Sequence, residues 1–169
     1  GIVSNALISL ADITPTMVDL AGGQPVTGLD GLSFKSVLLN KKNSHHQYVF
    51  AETSVEPHYW YNYTPARSVI TVNGLHYIKN YHPGLRFITH IDKVERNEFY
   101  FDSWVEHAHT NDHAKFLLDR YSYRPPEELF DLKTDSSEFK NLVHQMAYNK
   151  QLHAMRSLLK KELVRQGVT

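Results

Sequence analysis

Histidine is the residue type with the most chemical potential in this chain of 169 residues, which contains eleven histidines and no cysteine. The segment EHAHTNDH places His107, His109 and His113 at spacings that metal-binding imidazoles can use. No HExxH-type motif adds a further ligand, and surface or packed histidines are commoner than ligands. We therefore predict no metal site. Without cysteine, disulfides and thiolate metal sites are excluded.

Other catalytic arrangements have no support in the sequence, and we predict no catalytic residue in this chain. A serine–histidine–aspartate triad lacks the GxSxG elbow that would present its nucleophile, and no glycine-rich phosphate loop occurs. The pair His45 and His46 follows two lysines in a polar stretch, a pattern that predicts a solvated turn.

The composition excludes several classes of partner. Eighteen basic and eighteen acidic residues cancel, so no global field attracts nucleic acid or an anionic membrane. No apolar run approaches the ~20 residues of a membrane span, and residues 1–10 lack the basic start of a signal peptide. Hydrophobic and charged fractions of 41% and 21% are typical of a globular protein.

Strands and one long helix predict an α+β fold. The segments rich in β-branched and aromatic residues are 47–52, 66–73, 75–81 and 127–132. Asn73 and Gly74 predict a tight hairpin between the second and third of these. An apolar stripe in residues 147–167 predicts an amphipathic helix that ends near Gly167; its members are Leu152, Met155, Leu159 and Leu163. We expect a four-stranded antiparallel sheet packed by this C-terminal helix.

Shorter helices are predicted from capping residues. Thr14 is a suitable N-cap and Gly22 a C-terminal cap for the segment DITPTMVDLAGG, while Ser33 precedes a second short helix. Asp135 and Glu138 are spaced as a capping box and predict a helix entry over residues 135–142.

The region 81–124 contains five of the eleven histidines and has little periodicity. A patternless segment of this length inside a compact domain tends to be functional or mobile. We expect an insertion of which one part, HAKFLLDRY, forms a helical turn.

Two groups of segments resemble sulfatases. SLADITPTMVDLAG followed by GLDGLSFKSVLLN resembles the end of their alkaline-phosphatase-like α/β catalytic domain. VFAE, ARSVITVNGLHYIKN and EELFDLKTDSSEFKNL are similar, in that order, to their C-terminal subdomain, although Ser136 replaces the usual proline. The resemblance implies that residues 1–44 end the catalytic domain and that 45–169 form the C-terminal subdomain, with an insertion at 81–124.

Within this family, ARSVITVNGLHYIKNYHPGLRF and the aromatic insertion most resemble the heparan N-sulfatases (sulfamidases), which remove sulfate from the amino group of glucosamine. The resemblance implies a sulfated glycan as partner, an upstream catalytic domain, and a periplasmic, secreted or lysosomal-like location. The segment YTPAR matches the end of the family's active-site signature only by chance, because Tyr63 occupies the place of the residue oxidised to formylglycine and the segment lies in a predicted strand hairpin. None of the family's nucleophile, calcium-ligand or catalytic lysine and histidine motifs can be matched in this chain. The resemblance therefore implies that calcium and formylglycine belong to the upstream domain, and no cofactor is expected in this chain.

The resemblance places two stretches of the chain near the rim of the catalytic pocket. The predicted substrate-binding residues are Glu56, His58, Arg67, His82 and Arg86. The arginines would face anionic groups, and the glutamate would bind hydroxyl or amino groups. Pairing of the first arginine with an acid at a strand edge is the alternative.

Two other functional classes remain open. Aromatic residues at 59–61, with the sequence YWY, could stack on sugars in a free-standing carbohydrate-binding module. The alternative is an interaction domain whose histidine-rich insertion binds a metal or a partner protein.

Residues 1–40 carry apolar faces suited to a large sheet that this chain does not supply. Partial exposure or self-association is predicted for Leu7, Leu10, Met17, Leu20, Val37 and Leu38.

The isolated chain is expected to hydrolyse no sulfate ester or sulfamate, because sulfuryl transfer needs an activated nucleophile and a cation. Purified protein incubated with an aryl sulfate and divalent cations tests this expectation. Metal-dependent turnover would contradict the interpretation that the catalytic groups lie outside this chain.

Overall fold

The computed structural model describes residues 1–53, 64–88 and 99–168, with only the backbone of residues 99 and 100. The helices are α1 (Ile13–Leu20), α2 (Lys35–Leu38), α3 (Phe99–Ala108), α4 (Asp112–Ser122) and α5 (Asn149–Arg165). The strands are β1 (Tyr48–Thr53), β2 (Ala66–Thr71), β3 (Leu75–Asn80) and β4 (Glu127–Asp131). Short 3-10 turns precede α1 and α5.

The strands form one antiparallel sheet in the order β1-β2-β3-β4. The predicted hairpin is confirmed between β2 and β3, where Gly74 has a φ of +85° and its N–H donates to the Thr71 carbonyl at 2.8 Å. A side chain there would be strained, which explains why glycine occupies this turn. The predicted α+β class, with its long C-terminal helix, is therefore confirmed.

The chain divides into two compact units. The first comprises Gly1–Ala51, Ser68–Tyr77 and Leu129–Thr169, and the second comprises Glu52–Arg67 and Ile78–Glu128. These units follow compactness alone, so the sequence-based boundary between residues 44 and 45 stays a prediction.

The core of the first unit joins strand residues to α5. Val69 and Leu129 have no exposed surface, and Tyr77 is 2% exposed. They belong to one cluster with the predicted stripe of α5, whose buried members are Leu152, Met155 and Leu159. Each such side chain contributes roughly 1.5–3 kcal/mol on burial. The spacing of the stripe thus explains which face of the helix is buried.

The helix entry predicted over residues 135–142 is wrong. The Asp135 carboxylate does accept from the N–H groups of Phe139 and Lys140, at 3.0 and 2.7 Å. Glu138, however, has a φ of +58°, outside the right-handed helical region, and its carboxylate pairs with the ring of His76. No helix starts over residues 135–142, and α5 begins only at residue 149.

The start of α1 also differs from its predicted position. Ser9, not Thr14, caps the first turn, because its hydroxyl accepts from Ala11 N–H while the Asp12 carboxylate accepts from Ser9 N–H. This capping box leads through a 3-10 turn directly into the helix. At the other end Gly22 has a φ of +76°, as a C-terminal glycine requires.

Ser33, the predicted cap of α2, lies one residue before the N-cap position, which Phe34 occupies without a side-chain capping bond. Its hydroxyl oxygen accepts from the N–H of Lys35, the first helical residue, at 3.3 Å. The same hydroxyl donates to the Asp19 carboxylate at 2.6 Å. Ser33 therefore connects the start of α2 to α1.

The second unit contains a helical hairpin where a mostly irregular insertion was predicted. Helices α3 and α4 pack on one another, and Phe101 of α3 is buried against Tyr121 of α4 with ring centroids 6.1 Å apart. Asn111 starts α4, since its side-chain oxygen accepts from Ala114 N–H at 2.9 Å. This N-cap was the overlooked signal.

Several apolar side chains of the first unit are exposed to solvent, as the sequence predicted for residues 1–40. Leu10, Met17, Leu20 and Leu38 are between 47% and 86% exposed. Leu7 and Val37 are half-buried. No described helix is both long and apolar enough to cross a membrane.

Replacement of Leu129 by alanine should lower the free energy of unfolding by roughly 2–5 kcal/mol, because a fully buried side chain leaves a cavity. The matched control is Leu10→Ala, at a site 86% exposed, which should cost less than about 0.5 kcal/mol. Urea unfolding measures both. Equal losses would mean that another surface covers Leu10.

Candidate functional site

A small pocket in the second unit contains one of the predicted substrate-binding residues, His82. Its lining residues are Thr64, Pro65, Asn80, His82, Pro83, Leu85, Phe87 and Arg124. The chain leaves β3 at residue 80, and a turn follows in which Leu85 N–H donates to the His82 carbonyl at 3.1 Å. This turn carries the exposed imidazole of His82 at the pocket.

Arg124 gives the pocket a guanidinium on an aromatic surface. Its central carbon lies 3.8 Å from the centroid of the Phe87 ring, a cation–π contact. Burial lowers the pKa of the Arg124 guanidinium, while the negative charge of Glu128 opposes that effect. The group nevertheless keeps its positive charge, because an arginine pKa lies far above neutral pH.

Asn80 connects the two sides of this pocket. Its buried side-chain amide donates to the Pro125 carbonyl at 2.7 Å and to the Glu128 carboxylate at 2.8 Å. Its backbone N–H donates to the Pro126 carbonyl at 3.0 Å. Sequence reasoning missed both Asn80 and Arg124. The polar residue at the end of β3 and the Arg-Pro-Pro run before β4 were the available signals.

Not all of the other predicted site residues lie in the part of the chain that the structure describes. Glu56 and His58 lie outside the described residues, as do the aromatic residues at 59–61. Arg86 is exposed in the segment that follows His82. Their roles stay predictions.

Arg67 is engaged at a strand edge. Its Nε lies 3.0 Å from the Glu52 carboxylate, and one terminal nitrogen donates to the carbonyls of Thr53 and Ala66 at 3.2 and 3.1 Å. This arrangement corresponds to the strand-edge pairing that the sequence left open.

The histidines of the insertion are not gathered into a metal-binding group in the described part of the chain. His107 lies in the last turn of α3 and lines an apolar pocket with Trp104 and Leu117. His113 lies in α4, where its ring stacks on Phe116 with centroids 6.4 Å apart.

A different group of metal-ligand type occurs in the first unit. Across residues 1–53, 64–88 and 99–168, only Asp12, His45 and His46 bring three such side chains together, with ligand atoms within 4.8 Å of one another. Nε2 of His46 lies 2.9 Å from one Asp12 oxygen, and Nε2 of His45 lies 3.4 Å from the same atom. The predicted solvated turn is therefore wrong, because the two side chains are only 11% and 21% exposed.

The local chain explains how this group forms. Asp12 is fully buried, and its two oxygens accept from the N–H groups of Ser9 and Leu32, each at 2.8 Å. The backbone of His46 pairs with that of Leu7 in an isolated antiparallel bridge, which brings the histidine to the carboxylate. Burial raises the pKa of the Asp12 carboxyl, but the two backbone donors and His46 lower it further, to below its usual value.

Known proteins with similar sequences are sulfatases, although no family model matches the chain. Two ulvan-active sulfatases of Formosa agariphila are 27% identical over 165 residues and 29% identical over 154 residues. These alignments cover 95% and 88% of this chain but only 26% and 27% of the relatives. The chain is thus similar to one part of these two sulfatases. It spans about a quarter of the length of the curated relatives it matches.

Solved structures agree with this relationship. The structure of a 2-O GAG sulfatase superposes with a TM-score of 0.58 at 26% identity, covering 91% of this chain and 24% of that chain. A second structure, in complex with its substrate D-glucosamine-2-N,6-O-disulfate, gives a TM-score of 0.54 at 18% identity over 90% of this chain and 23% of that chain. At 18% identity the likeness concerns the fold alone.

Replacement of Asp12 by alanine should destabilise the protein by roughly 3–5 kcal/mol, because buried N–H donors and an imidazole lose a charged partner. The control Asp30→Ala removes an exposed carboxylate paired with Arg165 and should cost less than about 1 kcal/mol. Thermal and urea unfolding would measure the difference. Equal stability of both variants would exclude Asp12 as an organising residue.

Proposed function

We propose that this chain is the C-terminal portion of a sulfatase that hydrolyses the sulfate groups of a glycan. The observation that carries the proposal is the similarity of 95% of the chain to about a quarter of an ulvan-active sulfatase. The structural likeness to a 2-O GAG sulfatase supports it independently. In this proposal the upstream part of the protein supplies the formylglycine nucleophile and calcium, and the present chain supports the fold and the substrate-pocket rim.

A sulfated polysaccharide is the proposed substrate class, with N-sulfoglucosamine of heparan type favoured by the sequence resemblance. One similar protein is named as an ulvan-active sulfatase, and one similar structure is that of a 2-O GAG sulfatase. The choice between a sulfamate and a sulfate ester is the finer part of the proposal.

The pocket around His82 is the proposed contribution of this chain to substrate binding. It combines the imidazole of His82 with the aromatic-backed guanidinium of Arg124. The exposed Arg86 is not one of the lining residues, but it follows His82 in the same segment and would add a second cation. Cationic donors match sulfate oxygens, and the Phe87 ring provides an apolar surface of the kind that sugar rings use. Arg67 is assigned a supporting role, because Glu52 and two carbonyls already engage it.

The overall proposal is tested with the full gene product. We expect an upstream Cys/Ser-x-Pro-x-Arg motif, conversion of its first residue to formylglycine by mass spectrometry, and release of sulfate from a sulfated glycan. The substrate panel consists of N-sulfoglucosamine, a 2-O-sulfated disaccharide and ulvan oligosaccharides. Preference for the first supports the sulfamate assignment. A formylglycine-containing enzyme that releases sulfate from none of them would contradict the proposal.

Replacement of Arg86 or His82 by alanine in the full-length enzyme should lower kcat/KM by about 10- to 150-fold, which corresponds to roughly 1.5–3 kcal/mol for a charged hydrogen bond. Lys115→Ala is the control for Arg86, since it removes an exposed positive charge from the same unit. His109→Ala serves the same purpose for His82. Unchanged kinetics in both site variants, with folding intact, would place substrate recognition outside this pocket.

A further inference from the structure

We propose that Asp12, His45 and His46 form a binding site for a divalent transition metal of the zinc class. The three side chains converge from two stretches of the first unit, and their ligand atoms lie within 4.8 Å of one another. Two imidazole nitrogens and one carboxylate oxygen are the donor set that zinc and non-haem iron use in proteins. This inference is independent of the proposed sulfatase function.

The distances between the donor atoms suit a tetrahedral ion. Ligand atoms about 2.0–2.1 Å from zinc at tetrahedral angles are separated by about 3.3 Å. The separations from Asp12 Oδ2 are 2.9 Å to His46 Nε2 and 3.4 Å to His45 Nε2. Only small movements of side chains would therefore admit the ion between them.

His45 provides the evidence that distinguishes a ligand site from an ordinary ion pair. Within the described part of the chain, its Nε2 is buried and has no hydrogen-bond partner, although the Asp12 carboxylate lies 3.4 Å away. An unsatisfied buried nitrogen is costly, and a metal ion would use its lone pair. The ring is held in place by edge contacts with Phe34 and His46, at centroid distances of 6.1 and 4.3 Å.

Backbone donors fix the carboxylate in the manner of an outer coordination shell. Ser9 N–H and Leu32 N–H each occupy one lone pair on a different Asp12 oxygen. Each oxygen retains further acceptor capacity, which His46 Nε2 approaches at 3.1 and 2.9 Å and which a metal ion would take over on binding. Such outer-shell hydrogen bonds orient ligands and raise metal affinity.

The donor set also favours zinc over the hard cations. Calcium and magnesium prefer oxygen ligands, whereas two of these three donors are nitrogens. Asp12 and His46 line a cleft together with Tyr48, Glu162 and Arg165, so one side of the group is accessible to solvent. A water molecule from this cleft would complete the coordination.

The decisive experiment compares metal content among matched variants of the untagged full-length protein. After equilibration with zinc and dialysis, wild-type protein should retain one more zinc per chain than His45→Phe, which preserves a ring against Phe34. His46→Gln should show the same loss. The control His144→Phe replaces an exposed histidine of the same unit and should keep the wild-type content.

Two further measurements keep the result interpretable if a variant folds poorly. Zinc at about 100 times its Kd should raise the Tm of the wild-type full-length protein by about 2 °C, relative to protein in chelator. Cobalt(II) should give the visible bands of a tetrahedral site. Equal zinc content in wild type and the folded site variants, or an unchanged wild-type Tm and no tetrahedral cobalt spectrum, would overturn the proposal.

Discussion

The buried carboxylate of Asp12 is the interaction on which the organisation of residues 1–46 depends. A carboxylate without exposed surface loses its hydration and must recover that energy from hydrogen bonds. Ser9, Leu32 and His46 supply them from three separate stretches of the chain. Satisfaction of one buried charge therefore fixes the start of α1, the approach to α2 and the segment that leads into β1.

The hydrophobic core of the first unit depends instead on the burial of apolar side chains between the sheet and α5. Strands β2, β3 and β4 each place a buried residue in the cluster, and α5 adds the stripe that includes Leu152 and Met155. The sheet could not hide these side chains alone, because one of its faces needs an apolar cover. The helix provides that cover, so the apolar stripe of α5 and the buried residues of the strands together form one core.

The second unit combines packing with exposed chemistry. Asn80 satisfies its buried amide through the segment that carries Arg124, and Phe87 supports the guanidinium of that arginine. The hydrogen bond of Asn80 thus holds the segment at Pro125 in place, and the adjacent Arg124 lines the pocket together with His82. This combination suits the proposed binding of an anionic sugar, while the exposed apolar residues of the first unit suit the proposed packing against an upstream domain.

The sequence by itself determined the features that depend on local order along the chain. Alternation and β-branching indicated the strands, Asn73 and Gly74 indicated the hairpin, and the leucine and methionine spacing indicated the buried face of α5. The helices α3 and α4 are also local, but their aromatic and histidine residues are weak helix formers. The Asn111 cap was the signal that would have revealed the second of them.

Only the tertiary structure decided which polar groups meet. His46 reaches Asp12 across 34 residues of sequence, and Glu138 reaches His76 across 62. Sequence patterns report the period of a helix or strand, whereas such pairs depend on how separate elements pack. A histidine pair expected in solvent therefore became part of a buried group, and a glutamate expected in a capping box became the partner of a distant imidazole. The physical reason is that a charge wholly or partly withdrawn from water takes the partners that packing places nearest, whatever their distance along the chain.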